Sequence, residues 1–271
     1  MIGQISFINN IDYLVSADKF PRFSIIVGQE GSGKKRMANY ISSKLGFVSA
    51  NYGIGVEDIR QMIVDAYKVS MPMVYILPDA DKMSPAAKNA LLKVTEEPPQ
   101  NAYFILTLTD LNNTLGTIKS RGTVFYMDPY KVSEISEYCV SKYTVNEDDL
   151  TIICDLCETP GEVDKIVNMG TQEFYSYVAK VVDNIATVSG SNSFKIAAKI
   201  RFKDSDEDKY DIKLFWKAFM NICAYRLREE PLRYAMGIKI TSKYLQELRI
   251  TGINKQSTFD CWLLDIRKEW M

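Results

Sequence analysis

Eight consecutive residues, Gly28-Gln29-Glu30-Gly31-Ser32-Gly33-Lys34-Lys35, carry the glycine and lysine spacing of a phosphate-binding P-loop. Glycines at these positions let backbone N–H groups turn onto phosphate oxygens, and a helix N-terminus behind them adds a positive dipole. Lys34 is spaced to reach the outer phosphates, so Gly28, Gly31, Ser32, Gly33, Lys34 and Lys35 are the candidate nucleotide-binding residues. The eighth position departs from the motif. A hydrolytic loop has Ser or Thr there, whose hydroxyl binds Mg²⁺, whereas Lys35 has no acceptor. The apolar run Met73–Leu77 leads into Pro78-Asp79-Ala80-Asp81, where a Walker B segment places adjacent carboxylates. Pro78 stands at the magnesium-binding position, and Asp79 keeps one carboxylate at the water-activating position. Two changes at one metal site predict that ATP or ADP is held without normal Mg²⁺ coordination, with the Lys35 ammonium partly replacing the ion.

Other chemistries are excluded or unsupported. The 271 residues contain no histidine, which removes every Ser-His and Cys-His catalytic arrangement. Five cysteines are too scattered for a disulfide framework. Cys154 and Cys157 have CxxC spacing, but residues 150–158 repeat their apolar positions at helical spacing and no second close pair follows. They read as core positions, with no metal site. A net charge of -1 confines any nucleic-acid contact to a local patch. No apolar run approaches a membrane span, and the first residues lack a signal peptide's basic and apolar regions. A cytoplasmic location without membrane contact is expected.

The elements that must position the loop follow from periodicity. Residues 1–129 alternate short apolar runs with amphipathic segments, the pattern of an α/β domain with a largely parallel sheet. Strands are predicted at Phe23–Val27, Met73–Leu77, 103–108 and 123–127, and helices at Lys34–Leu45, 56–69 and Pro85–Glu96. Ser84 can cap the last helix, Pro85 fits its first position and Pro98-Pro99 ends it. Beyond Pro129 three short helices are predicted at Val132–Lys142, 147–158 and 162–169, with Pro160-Gly161 as a break. From Thr171 the pattern stays helical, interrupted by a charged run at 203–209 that reads as a solvated loop. Three parts result: an α/β domain at 1–129, a helical domain at 130–170 and a C-terminal helical domain at 171–271.

A family resemblance rests on longer motifs. Asn89-Ala90-Leu91-Leu92-Lys93-Val94-Thr95-Glu96-Glu97-Pro98-Pro99 closely resembles the NALLKxxEEPP run of bacterial clamp-loader AAA+ subunits, and Ser120-Arg121-Gly122 is similar to their SRC motif. Ile2-Gly3-Gln4 looks like the short box that opens the same domain. The resemblance implies an AAA+ P-loop domain, a helical lid domain and a C-terminal collar-type oligomerisation domain. It also implies a subunit of the DNA polymerase III clamp loader, working with motor gamma/tau-type and delta-type subunits, a sliding clamp and primed DNA. In that family the SRC arginine projects into a neighbouring ATP site, so Arg121 is the candidate catalytic residue, in trans. Where motor subunits carry a sensor arginine this chain reads Gly161-Glu162-Val163-Asp164, and Asp164 cannot pair with a γ-phosphate. The family's four-cysteine zinc module is absent after Leu45, so no zinc is expected. Lys88 and Lys93 are candidate DNA-phosphate contacts.

The expectation is a subunit that does not hydrolyse ATP by itself. Two other readings stay open. One is an active motor-type AAA+ ATPase in which Asp79 suffices. The other is a P-loop kinase for a small molecule, which explains the loop but neither Glu96-Glu97-Pro98-Pro99 nor Ser120-Arg121-Gly122.

Overall fold

A computed structural model describes residues 2–186, 195–202, 209–248 and 252–271. The charged run at 203–209 lies outside them apart from Lys209. The chain divides into two compact units, Met1–Glu134 with Thr159–Gly161, and Ile135–Glu158 with Glu162–Met271.

In the first unit, β1 (Phe23–Val27), β2 (Val48–Asn51), β3 (Met73–Leu77), β4 (Ala102–Leu108) and β5 (Thr123–Tyr126) form one parallel sheet in the order β2-β3-β4-β1-β5. Helices cover both faces, as an all-parallel sheet requires. Successive side chains point to opposite faces. Ile25, Tyr75, Phe104 and Leu106 meet Ile59 and Met62 of α3 (Val56–Lys68) and Leu91 and Val94 of α4 (Pro85–Glu96). On the other face Ile26, Val74, Ile76 and Ile105 meet Phe7 and Ile11 of α1 (Ile5–Ser16) and Met37 and Ile41 of α2 (Lys34–Leu45). The sheet thus agrees with the α/β expectation, and Ser84 caps α4 by accepting from the Ala87 N–H at 3.2 Å.

In this unit one strand and two α-helices have no counterpart in the sequence reading. β2 is an edge strand whose residues are half-buried or exposed, so it shows no apolar run. The helix α1 starts without a side-chain cap, on Gln4 in the left-handed region. The third, α5 (Gly116–Lys119), is a single turn anchored in the core by buried Ile118.

The second unit holds α6 (Val132–Lys142, whose start belongs to the first unit), α7 (Glu147–Leu156), α8 (Pro160–Met169, whose start also does), α9 (Thr171–Asn184), α10 (Ile212–Tyr225), α11 (Pro231–Glu247) and α12 (Lys255–Trp270). Pro160 opens α8 instead of breaking before it, since the first helical position needs no N–H. The all-helical expectation beyond Thr171 is corrected by β6 (Ile200–Arg201) and β7 (Tyr210–Asp211), a parallel pair with Ile200 opposite Tyr210. Two-residue strands are too short to show a period. α10 packs on α7, α9 and α11. Its Trp216 stacks on Phe259 of α12 with ring centroids 6.2 Å apart, and the Trp262 indole N–H donates to Thr241 at 2.9 Å. Among the described residues no helix is long and apolar enough to cross a membrane.

Candidate functional site

The phosphate loop joins β1 to α2, at the carboxyl end of the sheet where open α/β folds place their ligands. Its turn depends on Gly31 (φ +78°) and Gly33 (φ +90°), both in the left-handed region that side chains disfavour. Gly28 donates to the Leu108 carbonyl at 3.1 Å, which ties the loop to β4. Ser32 is buried, and its hydroxyl faces the Met127 sulfur at 3.6 Å. Lys34 is also buried. Its ammonium donates to the Gly28 and Gln29 carbonyls, both at 2.9 Å, and to the Thr109 hydroxyl at 3.5 Å. Burial pulls the Lys34 pKa below the usual lysine value, a shift that the charges of Asp79, Asp81 and Glu30 oppose. Lys35, one residue on, is exposed. The crown of the loop is covered by the start of α8: the Gly161 N–H donates to the Gly31 carbonyl at 3.0 Å.

The carboxylates opposite the loop are engaged within the chain. Asp79 sits in the left-handed region (φ 51°), its N–H donates to Thr107 at 3.1 Å, and its carboxylate pairs with Lys82 at 3.3 Å. Asp81 accepts from the Thr109 N–H at 3.1 Å through one oxygen, and its other oxygen is buried without a partner. Pro78 supplies no oxygen ligand from its side chain and Lys35 no hydroxyl. The hydroxyl and the first carboxylate that a P-loop offers to Mg²⁺ are thus replaced, and Asp81 Oδ1 is the carboxylate oxygen left buried without a partner. Among the described residues no group of three or more Cys, Asp or Glu is arranged to hold a metal ion. Burial raises the pKa of both Cys154 and Cys157, keeping them as thiols.

Arg121 belongs to a separate cluster in the same unit. It follows α5, and its guanidinium donates to the Thr117 carbonyl and to the Glu96 carboxylate, each at 2.6 Å. Its side chain is 31% exposed. The next residue is pressed onto β1: a Cβ on Gly122 would lie 2.8 Å from Ile25 Cδ1 and 2.9 Å from Phe23 Cε1. Gly122→Cys, which restores the family's motif residue, is therefore expected to destabilise the first unit by about 1–3 kcal/mol through overpacking. Urea unfolding checks this, and unchanged stability would show that the strand yields freely.

Gln4, of the opening box, exchanges two hydrogen bonds with the Asp128 backbone, at 2.6 and 2.9 Å, and Tyr130 donates to the Ser32 carbonyl at 2.8 Å. These tie the chain's first residues and the segment after β5 into the loop's surroundings. Sequence reasoning placed Asp81 in the Walker B segment but missed Thr109, Gly161 and Glu96 as neighbours of the site. Thr109 had a signal, because it directly follows the carboxyl end of an inner strand. The other two are brought in by distant chain segments.

Asp164 is fully engaged within the second unit. It accepts from Tyr138 at 2.9 Å, Tyr143 at 2.8 Å and Lys142 at 2.9 Å. Burial alone would raise its pKa, but the bonds from Lys142, Tyr143 and Tyr138 together outweigh it and hold the carboxyl below the usual range. A depressed folded value means the stabilisation is complete above the ordinary Asp pKa of about 3.9 and is lost as pH falls below it through the folded value. Asp164→Asn is expected to cost about 1–2 kcal/mol at neutral pH, low for a charged acceptor because the group is partly exposed. Denaturation curves at several pH values should show the difference shrinking on acidification.

This parallel sheet, with its phosphate loop at the β1–α2 turn, has the α/β fold of AAA+ P-loop proteins. Residues 44–131 match the family described as DNA polymerase III, delta subunit. The DNA polymerase III subunit delta' of Yersinia pestis is 40% identical over 77 residues, 27% of this chain and 23% of that protein. The DNA polymerase III subunit gamma/tau of Mycoplasma pneumoniae is 25% identical over 155 residues, 46% of this chain and 23% of that protein. The chain thus spans less than a quarter of the length of either relative. A solved DNA polymerase III gamma subunit-related protein of Thermotoga maritima shares the fold, with a TM-score of 0.57 at 16% identity over 97% of this chain and 99% of that one. The Thermotoga maritima RuvB Holliday junction branch migration motor does so with a TM-score of 0.51 at 14% identity, over 83% of this chain and 76% of that one. The family match and the relatives make residues 44–131 and their surroundings similar to bacterial clamp-loader subunits, the delta prime subunits among them.

Proposed function

We propose that this chain is a non-hydrolysing AAA+ subunit of a DNA polymerase III clamp loader, and that Arg121 serves the ATP site of a neighbouring subunit during sliding-clamp loading. The observation that carries the reading is an asymmetry within one domain. Its own site has Lys35 and Pro78 where a metal site has a hydroxyl and a carboxylate, while an arginine stands partly exposed on fixed anchors. A guanidinium supplied in trans stabilises charge developing on a transferred phosphoryl group, and its supply by a second subunit couples hydrolysis to assembly.

On this reading ATP or ADP, when bound, is cradled by Gly28, Gly31, Ser32, Gly33, Lys34 and Lys35 without normal Mg²⁺ coordination. Residues 130–170 act as a lid and 171–271 as the oligomerisation part. The partners are motor gamma/tau-type and delta-type subunits, a sliding clamp and primed DNA, in the cytoplasm. Reconstitution tests the assembly. Mixed with its organism's motor and delta-type subunits, the chain should co-elute with them and raise clamp-stimulated ATP turnover. Failure to join the complex overturns the reading.

A second reading, an active motor-type ATPase, is favoured by one observation, the unpaired buried oxygen of Asp81 across from the loop. Lys35, Pro78 and the Lys82–Asp79 pair weigh against it.

A further inference from the structure

We propose that Glu96 is a positioning residue for Arg121, holding its guanidinium ready for a neighbouring subunit's nucleotide; the inference rests on the trans reading above. Glu96 is the last residue of α4, and Thr117 lies in α5, which packs against α4. Arg121 is the second residue beyond α5, and its main-chain N–H closes back on the Ile118 carbonyl at 3.3 Å. Buried Ile118 fixes that turn in the core. The arginine therefore springs from a rigid base, but its long side chain has several rotatable bonds. Two contacts remove that freedom: one terminal nitrogen donates to the Thr117 carbonyl and the other to Glu96 Oε1, both at 2.6 Å.

A guanidinium has five N–H donors in a planar fork, and two single bonds leave three for an incoming acceptor. Both anchors are oxygens of this chain, and the side chain remains 31% exposed. The cation also lies beside the carboxyl end of α4, whose dipole favours positive charge there. An arginine ordered before assembly does not lose rotamer freedom at the moment of reaction, so more of its interaction appears in the transition state. The Glu96–Arg121 pair contributes little to folding, because half-exposed ion pairs are worth little. Its geometry serves the aim of the arginine.

The test measures clamp-stimulated ATP turnover in the reconstituted loader for wild type, Glu96→Ala, Glu96→Gln, Arg121→Ala and Glu96→Ala/Arg121→Ala. The quantity read is the Arg121-dependent rate, the difference between wild type and Arg121→Ala. Glu96→Ala should lower its kcat roughly 10- to 100-fold, the scale of a small misplacement of a reacting group, with KM for ATP within about twofold. Glu96→Gln, which keeps an acceptor oxygen, should recover part of the loss. The double variant should match Arg121→Ala, because Glu96 acts only through the arginine. Melting curves should leave Glu96→Ala as stable as wild type.

If Arg121→Ala lowers the rate but Glu96→Ala does not, the positioning role is wrong and the trans reading survives. Faster turnover in Glu96→Ala, no recovery in Glu96→Gln, or a double variant slower than Arg121→Ala also overturns it. If Arg121→Ala itself has no effect, the trans reading fails and takes the positioning role with it.

Discussion

If Arg121 acts in trans as proposed, Arg121→Ala is expected to lower ATP turnover at the neighbouring site by roughly 10³-fold or more, the scale of a lost arginine finger. Total turnover of the loader should fall by the share that site carries, so a mixture of this chain with the motor subunit alone gives the clearest reading. The effect is large because the guanidinium meets charge that develops only as the phosphoryl group transfers, in a site where water is excluded. The folded chain should hardly notice the change: the side chain is partly exposed and its partners are a carbonyl and a half-exposed carboxylate. Arg121→Lys keeps the charge but loses the planar fork, and should recover only a small part of the rate. An unchanged rate in Arg121→Ala would remove the trans role from this account.

The second large effect belongs to the phosphate loop's crown. Gly161→Ala should destabilise the first unit by about 1–3 kcal/mol, because the added carbon has nowhere to go. A Cβ there would stand 2.5 Å from the Gly31 Cα and 3.1 Å from its carbonyl oxygen, and these are backbone atoms that no rotamer change can move. Gly31 cannot simply tilt away, since its φ of +78° is fixed by the turn and a Cβ of its own would strike Thr159 at 2.7 Å. Relief requires breaking the Gly161–Gly31 hydrogen bond. Gly116→Ala is the matched control: nothing lies within 4 Å of its Cβ position, and it should leave stability unchanged or slightly raised. Equal urea midpoints for Gly161→Ala and wild type would mean that the crown is not covered in solution.

How much of this was legible in the amino-acid string depended on where each signal is carried. The loop, β1, α2 and α4 have local signatures: spaced glycines, a fully buried apolar run, and a Ser84-Pro85 start with a Pro98-Pro99 stop. Strand β2 has no such signature because it lies at the sheet's edge, with Val48 71% exposed. For α1 the signal was present, with Phe7 and Ile11 one turn apart, but an uncapped start on Gln4 hid its beginning. Pro160 looked like a break and instead opens a helix. The site divided in the same way. Lys34, Lys35, Pro78 and Arg121 were readable by position. Glu96 beside Arg121 and Gly161 beside Gly31 are contacts between residues 25 and 130 positions apart, which no spacing rule encodes.

These observations change what the loop means. Lys34 is satisfied by the loop's own carbonyls, Lys35 is exposed, and the carboxylates opposite are engaged by Lys82 and the Thr109 N–H. On this account the domain retains the shape of a nucleotide engine, while its chemistry has passed to an arginine that acts elsewhere. The most direct test is ATP turnover by the isolated chain across a magnesium titration. Phosphate release should not exceed the protein-free blank at any Mg²⁺ concentration; turnover that rises and saturates with Mg²⁺, and disappears in Asp79→Asn, would show that the chain is itself an ATPase.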